Sequence, residues 1–224
     1  LILIKKIMKT ALLVGATGLV GGFVLSQLLK EEQYNKIIVI TRKPLSIQHS
    51  KIKEVLVNFD NLQQYTAEIK ADVVFCCLGT TIKAAGSKAA FKKVDYEYPL
   101  QIAEIAKQNG TTSFLIITAM GAATNSFIFY NKVKGEIEQA LQKLNFDALH
   151  IIQPSLIIGE RNEHRLGESI AQKFSPIYNA ILQGPLKKYK AIEGSQIAKA
   201  MIYFSKENTK GVQYHTNDKL LNIQ

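Results

Sequence analysis

Apolar residues along this chain fall into short unbroken runs, and between them the spacing turns helical. "TALLVG" (10–15) has no polar alternation, as expected of a strand buried on both faces of a parallel sheet. Leu19, Phe23, Val24 and Leu28 then recur at helical intervals until the polar "KEEQYNK". Four more strands are predicted at "KIIVITR" (36–42), "EVLVNFD" (54–60), "ADVVFCCLG" (71–79) and "SFLIITAMG" (113–121), and a sixth at "DALHIIQPS" (147–155). Helices are predicted over 89–108, closed by "NG" at 109 and 110, and over 127–143. The tail "AIEGSQIAKAMIYFSKE" reads as a helix returning to the sheet with Ile197, Ala200, Met201 and Phe204 on its buried side. Strands alternating with helices imply right-handed crossovers, hence an α/β fold: a doubly wound parallel sheet in three layers, with a small C-terminal extension.

Composition narrows the class. With 224 residues and 47% hydrophobic content, one substantial core is expected, so residues 1–224 are read as a single domain whose substrate-pocket elements lie mainly in 155–224. No apolar run approaches the roughly 20 residues of a membrane-spanning helix, and no membrane partner is expected. The opening "LILIKKIMKT" has no small-residue cleavage pattern, which argues against a secretory signal and makes Met8 the expected start. Cys76 and Cys77, adjacent on a strand, point to opposite faces and read as buried thiols of a cytoplasmic protein. The four histidines share no ligand spacing with each other or the cysteines, so no metal site is expected. The net charge of +10 comes from scattered lysines, which argues for a solvated basic surface over nucleic-acid binding. Arginine occurs only at Arg42, Arg161 and Arg165.

"LLVGATGLVGG" places Gly15, Gly18 and Gly21 between the first strand and the first helix. There the first glycine permits a tight turn, the second leaves room for a diphosphate against the main chain, and the third lets helix and sheet pack closely. Free N–H groups at the helix start favour phosphate, so the motif reads as a dinucleotide site. The second strand ends in "ITRKP", where the basic Arg42 and Lys43 favour a ribose 2′-phosphate, hence NADP(H) over NAD(H). Asp60 is expected to accept from the adenine amino group or to be an ordinary turn aspartate. In "CLGTT", Leu78 lines the nucleotide side and Gly79 lets the backbone pass close to the cofactor.

"YNKVKGEIE" sets Tyr130 and Lys134 four apart, neighbours on one helix face. An ammonium beside a phenol favours phenolate and makes the tyrosine usable as a proton donor or acceptor. Such a pair arises by chance about once in a chain of this composition, so its weight comes from lying on the helix after the fifth strand.

These motifs together resemble the short-chain dehydrogenase/reductase superfamily in its extended or atypical branch. "FCCLGTT", "YNKVKGEIE", "FDALHIIQPSLIIGERNEHRLGE" and "AIEGSQIAKAMI" are similar to the Tat-interacting oxidoreductase family and its bacterial NAD(P)-binding, epimerase-like relatives. The resemblance implies a Rossmann-type fold and an NADP cofactor, with Tyr130 as acid or base and Lys134 holding the nicotinamide ribose. It also implies cofactor contacts at Gly15, Thr17, Gly18, Leu19, Val20, Arg42, Lys43, Leu78, Gly79 and Arg161. Superfamily members carry a serine or threonine at the end of the fifth strand. Here "IITAMGA" offers Thr118 or Ala119 for that place, with Thr124 and Ser126 as alternative hydroxyls.

The expected function is NADP-dependent hydride transfer between nicotinamide and a small carbonyl or alcohol. The alternatives are an NADP(H)-binding redox sensor with little turnover and an epimerase-like enzyme, the last disfavoured because only roughly 70 residues follow the sixth strand to hold a nucleotide-diphosphate handle. Arg161 is expected to contact the diphosphate or the substrate. The sequence leaves the oligomeric state open; the superfamily resemblance implies a homodimer through the helices flanking the fourth and fifth strands as one candidate.

Overall fold

The computed structural model describes residues 8–159, 182 and 184–224. The chain runs β1 (Lys9–Val14), α1 (Leu19–Lys30), β2 (Tyr34–Thr41), β3 (Ile52–Leu56), a 3-10 turn (Phe59–Tyr65) and β4 (Val73–Cys76). After the short helices α2 (Ile82–Ala85) and α3 (Lys88–Lys92) come a π-helical turn (Lys93–Glu97), α4 (Tyr98–Gln108), β5 (Ser113–Ile117), α5 (Phe129–Gln142) and β6 (Ala148–Gln153). The described remainder is β7 (Ile157–Ile158), a second 3-10 turn (Gly184–Tyr189), β8 (Ile192–Glu193), α6 (Gly194–Phe204), β9 (Gly211–Thr216) and α7 (Asn217–Leu220).

Seven strands form one sheet in the order β3-β2-β1-β4-β5-β6-β9, every pair parallel, while β7 and β8 pair separately. The period-2 alternation along the strands sends side chains into two cores. Leu13, Phe75 and Leu115 pack on one face with Val24 and Leu28 of α1 and Ile197, Ala200, Met201 and Phe204 of α6. Leu12, Val14, Cys76 and Ile116 pack on the other with Ile102 and Ala106 of α4 and Ile137 and Leu141 of α5. This is the doubly wound α/β architecture read from the sequence. Because the strand order reverses between β1 and β4, their carboxyl ends flank a crevice.

Three elements depart from the sequence reading. β3 begins earlier and ends at Leu56, because the Asn58 side chain accepts from the Asp60 N–H and starts a 3-10 turn. The helix expected over 89–108 is interrupted by the π turn. Pro99, in the first turn of α4, has no N–H to give the carbonyl four residues back, which is that of Asp95, and the ladder widens there. β9 is a seventh strand with no strong apolar signal, since His215 is its one fully buried residue.

That histidine sits against His150 of β6, with His150 Nδ1 and His215 Nε2 3.0 Å apart and the Phe204 ring stacked on His215. Burial pushes His150 down to about 4 and, together with the His150 and Lys219 charges, His215 to about 3. Both are therefore neutral in the fold. A depressed folded-state value contributes stability that is present above the unfolded value of about 6.5 and lost as pH falls toward the folded value. Urea unfolding is expected to show stability declining below about pH 6.5 by roughly 1.4 kcal/mol per pH unit for each histidine, with neither imidazole titrating by NMR between pH 5 and 7 in the native protein.

Candidate active site

The turn from β1 into α1 is built around Gly15, at φ +86°. A Cβ there would lie 2.6 Å from the Cys77 carbonyl oxygen, and one at Gly21 would lie 2.0 Å from the carbonyl oxygen of Gly15. Both positions exclude any side chain. Gly18 closes the turn by donating its N–H to Gly15 O at 3.0 Å, and beyond that same oxygen a Cβ on Gly18 would meet nothing. No side chain caps α1 and no carboxylate occupies its first turn. Its amino end therefore suits an anion carried on main-chain N–H groups. Thr17 is exposed on the turn, while Val20 points into the core and Leu19 packs beneath Gly159 and Gly194.

Arg42 and Lys43 follow β2 directly and are exposed, the turn being held by the Thr41 hydroxyl donating to the Lys43 carbonyl at 2.9 Å. Asp60 stands on the neighbouring 3-10 turn. Its Oδ1 accepts from Lys93 Nζ at 2.7 Å and from the Tyr98 hydroxyl at 2.8 Å, and these two bonds hold the carboxyl below its ordinary range. One oxygen of Asp60 is thus already engaged by the protein.

Across the crevice, Lys134 of α5 is buried and its Nζ lies 2.7 Å from Oδ1 of the buried Asp95. Burial works against the ammonium, but the Asp95 and Tyr130 charges outweigh it and the net shift is upward, so Lys134 is a cation in the fold. Asp95 Oδ2 accepts the Thr80 N–H at 2.9 Å, which ties the loop after β4 to the same pair. Gly79 passes in front, where a Cβ would touch Asp95 and Lys134 at 3.6 and 4.0 Å. Leu78 is half-buried against the α4/α5 core. Lys134 Nζ is also 3.5 Å from the Ile117 carbonyl and 6.0 Å from the centre of the Tyr130 ring. Tyr130, half-buried at the start of α5, leans on Phe91 with centroids 5.4 Å apart.

Thr118 is buried just past β5. Its hydroxyl donates to Glu138 Oε1 at 2.5 Å, with the Ile152 carbonyl at 3.3 Å. Ala119 is buried and Thr124 exposed, while Ser126 Oγ accepts from the Ile128 N–H. Gly135 explains why this loop lies flat on α5: a Cβ there would come within 2.6 Å of the Ala123 main chain.

The structure thus brings Gly15, Gly18, Gly21, Leu78, Gly79, Tyr130 and Lys134 to the β1/β4 end of the sheet, with Arg42, Lys43 and Asp60 at its β2/β3 side. Arg161 and Arg165 lie outside the described residues. Sequence reasoning missed Asp95, Thr80, Glu138 and Gln153. Spacing held a signal for two of them: Asp95 follows Phe91 by four on an apolar helix face, and Glu138 follows Lys134 by four. Cys76 and Cys77 are free thiols in contact with opposite cores, and burial pushes Cys76 up to about 12, so neither is primed as a nucleophile. Among the described residues no cluster could hold a metal, and no helix is long and apolar enough to cross a membrane.

Residues 15–164 match the family model described as NAD(P)H-binding. The Protein HTATIP2 of Rattus norvegicus is 35% identical over 170 residues, covering 74% of this chain and 70% of its own. The Protein FMP52, mitochondrial, of Candida albicans is 34% identical over 216 residues, covering 93% and 92%. Among solved structures, a UDP-N-acetylglucosamine 4-epimerase from Methanobrevibacter ruminantium superposes with a TM-score of 0.70 at 16% identity, covering 93% of this chain and 76% of that one. MoeE5 in complex with UDP-glucose and NAD gives 0.69 at 11%, covering 92% and 76%. At such identities the likeness is one of fold. The fungal relatives correct one expectation: several are mitochondrial proteins by name, which points against a purely cytoplasmic location. Two unlinked thiols, Cys76 buried and Cys77 half-buried where both were expected to be buried, do not distinguish one reducing compartment from another.

The two adjacent glycines of α1 separate close packing from helix propensity. Gly21→Ala is expected to cost about 1–3 kcal/mol in urea unfolding, since the added methyl runs into the Gly15 main chain. Gly22→Ala, where the nearest atom is 3.5 Å away, is expected to be neutral or to gain up to about 1 kcal/mol.

Proposed function

This chain belongs to the NAD(P)H-binding family, and from that premise we propose that it is an NADP(H)-dependent oxidoreductase acting on a small carbonyl or alcohol. The observation that carries the reading is the buried, charged Lys134, held by Asp95 behind Gly79 and one helical turn from Tyr130. The turn at Gly15, Gly18 and Gly21 fits a bound dinucleotide, because side chains are excluded there and the amino end of α1 has no cap of its own. When bound, a nicotinamide cofactor supplies or accepts the hydride.

In this reading each residue has a distinct task. The main chain of residues 15–20 carries the diphosphate. Arg42 and Lys43 face the ribose 2′-phosphate, Arg42 through a fork of donors and Lys43 as a point charge. Asp60, with one oxygen taken by Lys93 and Tyr98, has the other to offer the adenine amino group. Leu78 and Gly79 border the cofactor, and Lys134 donates to its ribose hydroxyls. The Tyr130 hydroxyl gives a proton to the carbonyl oxygen during reduction and takes it back during oxidation. The Lys134 charge stabilises the phenolate so formed, while Asp95 keeps that charge in place. Thr118 stands for the hydroxyl that the superfamily resemblance implies at the end of the fifth strand.

One observation favours a second reading, a sensor that binds NADP(H) with little turnover: the only proton of the Thr118 hydroxyl lies on Glu138 and is not presented to a substrate. Tight NADPH binding without turnover across a broad panel of aldehydes and ketones supports the sensor.

Stopped-flow reduction of such a panel tests the enzyme. Tyr130→Phe is expected to lower kcat by about 10²-fold or more while leaving the NADPH dissociation constant within about twofold, and unchanged turnover overturns the role. Calorimetry on Arg42→Ala is expected to show NADPH affinity falling by about 10- to 100-fold with little change for NADH. Equal losses for both cofactors overturn the 2′-phosphate assignment.

A further inference from the structure

Glu138 is a buried carboxyl that the reaction above does not use. It lies one turn beyond Lys134 on α5, so Tyr130, Lys134 and Glu138 form a row at four-residue spacing. Three donor contacts converge on it: the Thr118 hydroxyl at 2.5 Å, and the Gln153 amide at 3.0 and 3.1 Å to its two oxygens. The charged and titratable groups facing it are Lys134 from α5 itself and Tyr214 from β9, with Asp95 beyond Lys134. Tyr214 is also linked to the same turn of α5, through Gln142, whose amide meets the Tyr214 hydroxyl at 3.0 Å and the Glu138 carbonyl at 3.1 Å.

A threonine hydroxyl has a single proton, and a carboxylate is an acceptor only. While Glu138 is charged, that proton points into the protein and, apart from the Ile152 carbonyl at 3.3 Å, Thr118 offers its other neighbours only lone pairs. We propose that Glu138 is a positioning residue that sets the hydrogen-bond polarity of Thr118, making it an acceptor when the carboxyl is charged and a donor when it is protonated. On protonation, a proton from water binds the carboxyl, which then donates to Thr118 Oγ1, and the threonine proton is freed from Glu138, with the Ile152 carbonyl at 3.3 Å competing for it against a carbonyl in the site. No covalent bond to carbon changes and no other reactant is needed. An acceptor at Thr118 suits an alcohol or the Tyr130 hydroxyl, whereas a donor suits a carbonyl oxygen. Protonation of Glu138 therefore leaves Thr118 able to donate to the oxygen on which charge develops, in reduction and oxidation alike. Burial moves this carboxyl upward, against the opposing pull of Thr118, Gln153 and Lys134, which brings the switch above the ordinary carboxylate range.

The part played by Thr118 in turnover rests on the oxidoreductase reading, whereas its coupling to Glu138 does not, and the two are read separately. In the ligand-free full chain with a labelled Thr118 methyl, the NMR shift is expected to titrate with one midpoint above the ordinary carboxylate range. Glu138→Gln is expected to abolish that titration. Gln153→Leu, which removes a donor to the charged form, moves the midpoint to higher pH and serves as the second variant should Glu138→Gln not fold. A Thr118 methyl that does not titrate in the unaltered protein, or titrates identically in Glu138→Gln, overturns the proposal. In turnover, kcat for carbonyl reduction is expected to rise by about 10²-fold on protonation over the same limb, the size of one directed donor. That limb survives Thr118→Ser and disappears in Thr118→Val. A titrating Thr118 in a protein that reduces no carbonyl supports the coupling and overturns the oxidoreductase reading.

Discussion

A lysine and an aspartate removed from water at the end of a sheet hold this site together. Each alone would be an uncompensated buried charge, and breaking such a pair costs about 3–5 kcal/mol. The Asp95–Lys134 contact of 2.7 Å therefore constrains everything attached to it. Asp95 reaches that position from a π turn, where the missing amide of Pro99 widens the helix. Its second oxygen pins Thr80 and with it the glycine loop after β4. Lys134 in turn reaches the end of β5 and stands a turn from Tyr130. Two helices and two strand ends are tied together by a single ion pair.

The other half of the crevice is made by what is missing. At Gly15 and Gly21 there is room for main chain only, and the resulting contact seats the amino end of α1 against the loop that follows β4. The two halves thus meet at Cys77 to Thr80: the Cys77 carbonyl backs onto Gly15, and the Thr80 amide belongs to Asp95. Four residues of backbone therefore join the two halves. The crevice at the β1/β4 reversal is accordingly closed to side chains at the glycine turn and charged at Lys134.

Much of this was legible in the residues. Unbroken apolar strands such as "KIIVITR" announce burial on both faces, and the helical face of Ile197, Ala200, Met201 and Phe204 is buried as its spacing demands. The glycine turn was legible because its constraint is steric and local. β9 was not, since an edge strand whose one wholly buried residue is a histidine has no apolar period to detect. Asp95 and Glu138 were hidden for a related reason: a carboxyl within a helix ordinarily faces water, and only the partners that arrive from other elements, Lys134 for one and Thr118 and Gln153 for the other, reveal that it is inside. Arg42 and Lys43 were legible as charges at a strand end, but which cofactor they favour depends on a ligand's phosphate and not on any contact within the chain.

The place of β9 has a consequence for biosynthesis. A chain leaving the ribosome amino end first has β1 to β6 synthesised before Gly211 appears, and β9, the last strand made, takes the edge of the sheet alongside β6. Until then His150 lacks its neutral neighbour, and the Tyr214 hydroxyl that meets Gln142 is absent from the back of α5. The last strand in chain order thus braces the back of α5, the helix that carries Tyr130 and Lys134, from the far edge of the sheet.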